Sequence, residues 1–483
     1  MIDHFLAKEE WRKYQVVKHL ERNAYFSLNK QELMDHLEVS NYLFNNLIEA
    51  LIDDLENFML NDAIRITYDD PFLHMAITGE ASSATLLEYY VMESLGFRLL
   101  CCAFRETYNS VNDFSVKEVI SYPIVYKEYK RLKRFLKKND IQINRKFQLV
   151  SKNEQNLRLF MTELFAGIFK DNLLVYSDTD SYLVNQQIAA FPREHFTMHQ
   201  RDDLVHYTYV TDIRLRQEHY LKETYLPLLN EEIQGQFCLP YFFSRVPASF
   251  AVSEKQAFTN YYITRSADLI DQVTVCDDVA KEYSRQLVAA LSQEFPVLSG
   301  YPEKMAEFNQ RLDFLHLQLR ELSSGYEALQ PAIDISYFQQ NYPEILAFCR
   351  QYLESVKKTD LYDKKKFVFF NYLLLIVNTF PKEALLHTVK IHADFSYGEL
   401  YNQFIEGNLI FFQTAGAIPT ENIEEADIIL TDNRALGETA DCEYIVWLSP
   451  PRPLDWANLG QKIVQQRSKK YTAADEKRDQ PVG

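Results

Sequence analysis

Residues 125–138 read V-Y-K-E-Y-K-R-L-K-R-F-L-K-K. Wound at about 100° per residue, this stretch puts Val125, Tyr129, Leu132 and Leu136 on one side of a helix and Lys127, Lys130, Arg131, Arg134 and Lys138 on the other. One face calls for a core and the other for anions. Between residues 117 and 152 there are eleven Lys or Arg against three acidic residues, a local balance of +8 in a chain whose total is −17. The rest of the chain therefore sums to −25. A solvated helix face ordinarily mixes both signs, and the only acid here is Glu128. A polyanion is the simplest partner for such a ridge, and the flanking sequence points to duplex DNA.

Downstream, I-Q-I-N-R-K-F-Q-L-V (141–150) alternates Ile141, Ile143, Phe147 and Leu149 with polar residues around a turn at Asn144 and Arg145, which predicts a short hairpin. Upstream, F-S-V-K-E-V-I-S (114–121) predicts a short helix, with Ser121, Tyr122 and Pro123 as the turn. Short helix, turn, long helix and hairpin is the order of a winged helix, whose long helix enters the major groove while the wing reaches the adjacent backbone. The DNA-contact candidates are therefore Lys127, Lys130, Arg131, Lys133, Arg134, Lys137 and Lys138 on the helix, with Arg145 and Lys146 on the wing. Residues 81–103 predict one long helix entering this module, and 153–169 a helix leaving it.

A second helix-turn-helix pattern precedes it. Helices are expected over 8–22, 29–37 and 41–55, the last with Phe44, Leu47, Ile48, Leu51, Ile52 and Leu55 inward and Asn41, Asn45, Asn46, Glu49 and Asp53 outward. Residues 64–77 predict its hairpin. Asp69 and Asp70 in the wing turn repel phosphate, so groove contact narrows to Tyr42, Asn45 and Asn46 at the helix start. A packing or partner role is the alternative for this module.

Composition excludes several classes. A chain of 483 residues is too long for one core, and three to five units are expected. The six cysteines (101, 102, 238, 276, 349, 442) show no C-x-x-C spacing and no pairing with His at metal distances, which fits a reducing cytoplasm and no metal site. None of the twelve glycines forms a phosphate-cradling motif, so neither nucleotide-dependent catalysis nor a cofactor is expected. The N-terminus lacks the pattern of a signal peptide. The apolar run 367–377 is too short for a bilayer and reads as a buried helix, so no membrane partner is expected. No catalytic motif stands out and the chain is read as a non-enzyme.

From about 170 to 385 the pattern is helical, in two loosely similar halves. Each half has an early helix with a histidine ahead of an arginine, L-V-H-Y-T-Y-V-T-D-I-R around His206 and L-D-F-L-H-L-Q-L-R around His316, and a later apolar helix, 258–273 and 367–377. After Pro381 short β-type runs at 385–392, 408–414, 426–432 and 442–449 alternate with helical stretches near 397–406 and 455–466, as in a small parallel-sheet domain.

This order resembles the Mga- and AtxA-type virulence regulators of Gram-positive bacteria. The most specific pieces are F-S-V-K-E-V-I-S, Y-K-R-L-K-R-F-L, I-Q-I and E-Q-N-L-R-L-F, where Glu154 and Arg158 match the family's E-x-x-[IL]-R. The fold class implied is mainly α and multidomain. It comprises two N-terminal winged helix-turn-helix domains (1–78, 79–168), two all-helical domains like PTS regulation domains, or PRDs (169–280, 281–382), a small C-terminal α/β domain like the IIB component of sugar phosphotransferase systems (383–466), and a flexible tail (467–483). The resemblance implies a cytoplasmic, dimer-forming transcription regulator that binds promoter DNA and responds to sugar status through phosphohistidine. RNA polymerase and a phosphocarrier protein are further candidate partners. Phosphotransfer needs an exposed, neutral ring nitrogen and replaces a neutral ring by about −1.5 to −2 charges. His206 and His316 fit this role best, with His199 and His219 next.

Two departures limit the resemblance. The late apolar helices hold no second histidine, Asn371 standing in the second, and the loop after the first C-terminal strand reads Ala393, Asp394, Phe395, Ser396 where a working IIB protein has its cysteine. Cys442 begins a later strand, so docking or dimerisation is the expected role of that domain. Rival readings are an RNA-binding antiterminator, which places a β-rich RNA-binding domain ahead of its PRDs, and a non-catalytic scaffold whose basic helix binds an acidic segment.

Overall fold

The structure, a computed structural model, describes residues 4–23, 25–177, 181–222, 242–266, 269, 277–329, 335–435, 442–447 and 450–478. The chain forms two compact units, Met1–Cys276 with Gln318–Pro331, and Asp277–Leu317 with Ala332–Gly483. The described residues are mainly helical, and no helix among them is long and apolar enough to cross a membrane.

The first unit begins with α1 (Lys8–Arg22), β1 (Ser27–Asn29), α2 (Lys30–Leu37), α3 (Asn41–Asn57), β2 (Ile64–Asp69) and β3 (Phe72–Ile77). The strands form an antiparallel sheet in the order β1-β3-β2, with Ile64 opposite Ile77 and Asp69 opposite Phe72. Ser40 caps α3, and the helix buries Phe44, Leu47, Ile48, Leu51 and Leu55. Ile52, expected inside, is 37% exposed.

Next come α4 (Ser83–Glu93), α5 (Leu95–Arg105), α6 (Val111–Lys117), α7 (Tyr122–Lys137), β4 (Ile141–Ile143), β5 (Leu149–Ser151) and α8 (Glu154–Phe169). The single helix expected over 81–103 is two, because Ser94 serves both ends. Its hydroxyl donates to the Val91 carbonyl (2.9 Å), closing α4, and accepts from the Phe97 amide (3.3 Å), opening α5. α9 (Tyr182–Ala189), α10 (Met198–Arg216) and α11 (Ala248–Ile263) complete the main helices. α11 starts ten residues before the expected 258–273 helix, most of whose far end lies outside the described residues, as do Cys238 and Cys276.

The segment 318–331 belongs to this first unit. The Ser323 amide donates to Glu163 (2.7 Å), the Ser324 amide to Asn156 (2.7 Å) and the Ser324 hydroxyl to the Asn139 carbonyl (2.9 Å). Gly325 lies so close that a Cβ there would stand 2.7 Å from both Asn139 Oδ1 and Phe160 Cδ2. The foot of α7 is thus held by a segment nearly two hundred residues away in sequence.

The second unit contains α12 (Asp278–Glu294), α13 (Pro302–Gln318), α14 (Pro343–Ser355) and α15 (Lys365–Thr379), followed by β6 (Val389–Asp394), α16 (Glu399–Asn408), β7 (Ala417–Pro419), β8 (Ile428–Thr431), β9 (Glu443–Val446) and α17 (Pro453–Arg478). Its sheet is parallel throughout, in the order β7-β6-β8-β9. All four residues of β8 are buried, as expected of an inner strand covered on both faces. Two expectations are corrected here. Residues 408–414 are not a strand: Leu409–Ala415 forms a 3-10 helix, with Leu409 buried and Ile410 and Phe411 exposed, and the strand starts after Gly416. The tail expected to be flexible from 467 continues α17 to Arg478, with Arg467 fully buried and the Lys470 ammonium on the Thr388 carbonyl (2.9 Å) and Asp427 (2.6 Å). Residues 448–449 and 479–483 lie outside the described residues.

Candidate nucleic-acid interface

Helix α7 opens with Pro123 in its first turn, where a missing N–H costs nothing. Its inner face buries Val125, Leu132, Phe135 and Leu136. Phe5, from the N-terminal segment, meets Phe97 of α5 (5.7 Å) and Phe135 of α7 (5.8 Å) edge to face, locking the two helices together. The outer face exposes Lys127, Lys130, Lys133, Arg134, Lys137 and Lys138. Lys130 lies 4.6 Å from the centre of the Tyr126 ring and Lys133 5.5 Å from that of Tyr129, which steadies the ammonium groups without neutralising them. Arg131 departs from the ridge. Its guanidinium donates to the His4 carbonyl and lies 3.4 Å from Glu128, so its charge is used to hold the N-terminal segment against α7.

The wing closes on Asn144. The Asn144 side chain accepts from the amides of Lys146 (2.9 Å) and Gln148 (3.0 Å), and Phe147 is buried beneath the turn in the left-handed region (φ 60°). Arg145 and Lys146 point into solvent. β4 and β5 pair with Ile141 opposite Ser151 and Ile143 opposite Leu149.

Sequence reasoning missed an apolar group beside the cations. Val116 is 69% exposed, Val119 91%, Tyr122 43%, Ile124 58% and Tyr126 38%, at the end of α6, in the turn before α7 or in its first turns.

Residues 79–165 match the model of the Mga helix-turn-helix domain. This segment is similar to a Mga-type helix-turn-helix domain. The match supports the Mga-like regulator family and, with it, a DNA-binding transcription regulator. It spans α4 through α7, the wing and most of α8. Comparison with curated proteins returns no match.

The first module presents a different surface. Tyr42 is 74% exposed, and Asn46 faces solvent. Asn45 accepts a hydrogen bond from Lys30 (2.8 Å), whose ammonium also lies 5.3 Å from the Tyr68 ring. Glu49, Asp53, Asp69 and Asp70 are exposed nearby in the fold.

The Mga domain is tied to the helices that follow it by a buried ionic cluster. Arg158 of α8 grips Glu254 of α11 with two nitrogens (2.7 and 3.0 Å) and donates to the His219 carbonyl (2.8 Å). Arg214 of α10 grips Glu154 in the same way (2.7 and 2.8 Å). Arg158, Arg214 and Glu254 are essentially sealed from water. Such charges are tolerated only because every one is paired.

The two leading histidine candidates are corrected by their surroundings. His206 is fully buried, its Nε2 bonded to the Lys170 carbonyl (2.6 Å) and its Nδ1 to the Tyr176 hydroxyl (2.9 Å). Since a carbonyl only accepts, Nε2 carries the proton and Nδ1 takes the tyrosine's. His316 is 2% exposed, between Ser284 (2.8 Å) and the Tyr372 hydroxyl (2.6 Å). Burial holds His206 down at about 4 and His316 at about 3, so both are neutral, but neither offers an exposed nitrogen. Of the arginines that follow them, Arg214 is held by Glu154, and the Arg320 side chain lies outside the described residues. His219 is bonded to Glu106 (2.6 Å). His199, in the first turn of α10, is exposed.

In the C-terminal sheet the Asp432 carboxylate accepts from the Ser396 amide (2.9 Å) and hydroxyl (2.5 Å), which closes the loop after β6. Cys442 is half-buried and forms no disulfide, and no cluster of metal-ligating side chains occurs among the described residues.

Proposed function

We propose that this chain controls transcription by docking α7 of its Mga domain in the major groove of promoter DNA, with Arg145 and Lys146 on the neighbouring backbone. The observation that carries the reading is the exposed row Lys127, Lys130, Lys133, Arg134, Lys137 and Lys138, standing on a helix whose other face is fully packed. Phosphate contact by several of these releases counterions, so affinity for duplex falls steeply with salt. A footprint on the protein's own upstream region, repeated over a salt series, tests it. Duplex binding that is weak and flat in salt, or preference for an RNA hairpin, sinks it.

The chain acts in this reading as a non-enzymatic regulator and a homodimer, with RNA polymerase as a partner at the promoter. The domain layout read from sequence is kept for the two PRD-like parts and the IIB-like part, except that 318–331 packs with the first unit and the last helix joins the IIB-like part. An exposed apolar row on the C-terminal domain, Tyr397, Leu400, Phe404, Ile410 and Phe411, supports a second copy as its cover. Leu400→Glu with Phe404→Glu then yields monomer in sedimentation, whereas an unchanged mass removes this face from the dimer. A phosphocarrier input narrows to His199, which is exposed at a capped helix start where added negative charge is favoured. Labelled phosphocarrier should mark the chain and fail to mark His199→Ala.

A further inference from the structure

The wing of the Mga domain is not self-supporting. It is two short strands, three residues each, and the turn that carries Arg145 and Lys146 is braced from outside. The Gln148 side chain accepts from Asn144 at the turn (2.8 Å) and donates to Glu106 (2.6 Å), the residue that ends α5 in the left-handed region. Glu106 is held in turn by His219 (2.6 Å), just past the end of α10, with the Arg214 guanidinium 3.8 Å away. The same guanidinium donates to the carbonyl of Leu149, the first residue of the wing's return strand (3.3 Å). It is fully buried and oriented by its two bonds to Glu154, so it has little freedom to swing away.

We infer that Arg214 and Glu106 are positioning residues for DNA binding: a guanidinium of the first helical domain, acting through the Leu149 carbonyl and the Gln148–Glu106 bond, sets where the wing presents Arg145 and Lys146 to the phosphates. Neither residue touches DNA. The wing's share of the binding therefore depends on α10, an element outside the segment that matches the Mga domain. A change in α10 reaches DNA through this brace without moving α7, whose inner face is packed by Phe5 and the core of its own module.

The inference rests on the DNA-binding reading, and one salt-series measurement on the full chain separates the two. Duplex affinity is measured for the wild type, for Arg145→Ala/Lys146→Ala, for Arg214→Met and Glu106→Gln, and for each of these last two combined with the wing pair. The wing pair should lower the salt slope by about 0.9 for each phosphate released. Arg214→Met and Glu106→Gln should reproduce that flattening in the wild-type background and add nothing when the wing cations are already gone. Arg214→Met leaves Glu154 without its main partner and risks misfolding, whereas Glu106 is 18% exposed and its amide substitution is mild. The Glu106→Gln arm therefore stands alone if needed. Equal losses in both backgrounds would indicate a merely structural role and overturn the inference, as would no loss from either substitution or a wing pair without effect. A wild type that does not bind duplex overturns the DNA-binding reading itself.

Discussion

At the scale of single residues, Ile124 makes the sharpest statement about sequence readout. A β-branched side chain, 58% exposed at the start of the helix proposed to enter the groove, is suited to the C5-methyl of thymine. Replacing thymine by uracil across the protected site should weaken wild-type binding by about fourfold per contacted methyl, the equivalent of about 0.8 kcal/mol for one buried methyl group. Ile124→Ala should be indifferent to the same replacement. Equal sensitivity of both proteins would remove Ile124 from the readout. The buried histidines make a second prediction. The unfolded rings titrate near 6.5, while burial lowers His206 to about 4 and His316 to about 3. Protonation thus favours the unfolded chain. This stability is fully present above pH 6.5 and is lost as pH falls toward 4, at up to about 1.4 kcal/mol per pH unit for each ring. Urea midpoints at pH 7, 6 and 5 should fall less steeply for His206→Gln than for the wild type. The cationic ridge was legible in the sequence because helical spacing separates it from the apolar face. Arg131 was not, because its partner, His4, is 127 residues away. Nor could spacing distinguish an exposed histidine from one with both nitrogens bonded in the core.

Among the elements, α8 is bound to the helices after it by buried charge. Glu154 and Arg158 stand one helical turn apart, and that spacing was visible in the sequence. Their partners on α10 and α11 were not, because those pairings span 60 and 96 residues. Removing one side of the Arg158–Glu254 pair leaves a buried, uncompensated charge. Glu254→Ala should therefore cost about 3–5 kcal/mol in chemical denaturation. Arg158→Met combined with Glu254→Leu should recover much of that. A loss below about 1 kcal/mol for Glu254→Ala would mean that water reaches the pair. Elsewhere, element boundaries failed where local chemistry outweighs periodicity. Ser94 splits an apolar helix by bonding to both halves, and the unbroken run at 408–414 fits strand and helix equally well until Phe412 stacks on Trp456 at 5.9 Å.

For the whole molecule, the order of modules was readable from composition and period: a basic winged helix behind an acidic one, then helices, then a parallel sheet. The return of 318–331 to the first unit was hidden, since nothing in a local pattern marks a segment that packs far from its chain neighbours. Gly325 is its signature, and Gly325→Ala should destabilise by about 1–3 kcal/mol, because Asn139 and Phe160 must both move to admit a Cβ. A thermal shift of less than a degree would show that the segment yields freely. The proposed grip on DNA is nevertheless electrostatic and belongs to α7. Its most direct test is the salt dependence of duplex affinity for Lys130→Ala/Lys133→Ala/Arg134→Ala against the wild type. The triple variant should bind more weakly, with a log–log slope lower by about 0.9 for each phosphate lost. An unchanged affinity and slope would contradict it.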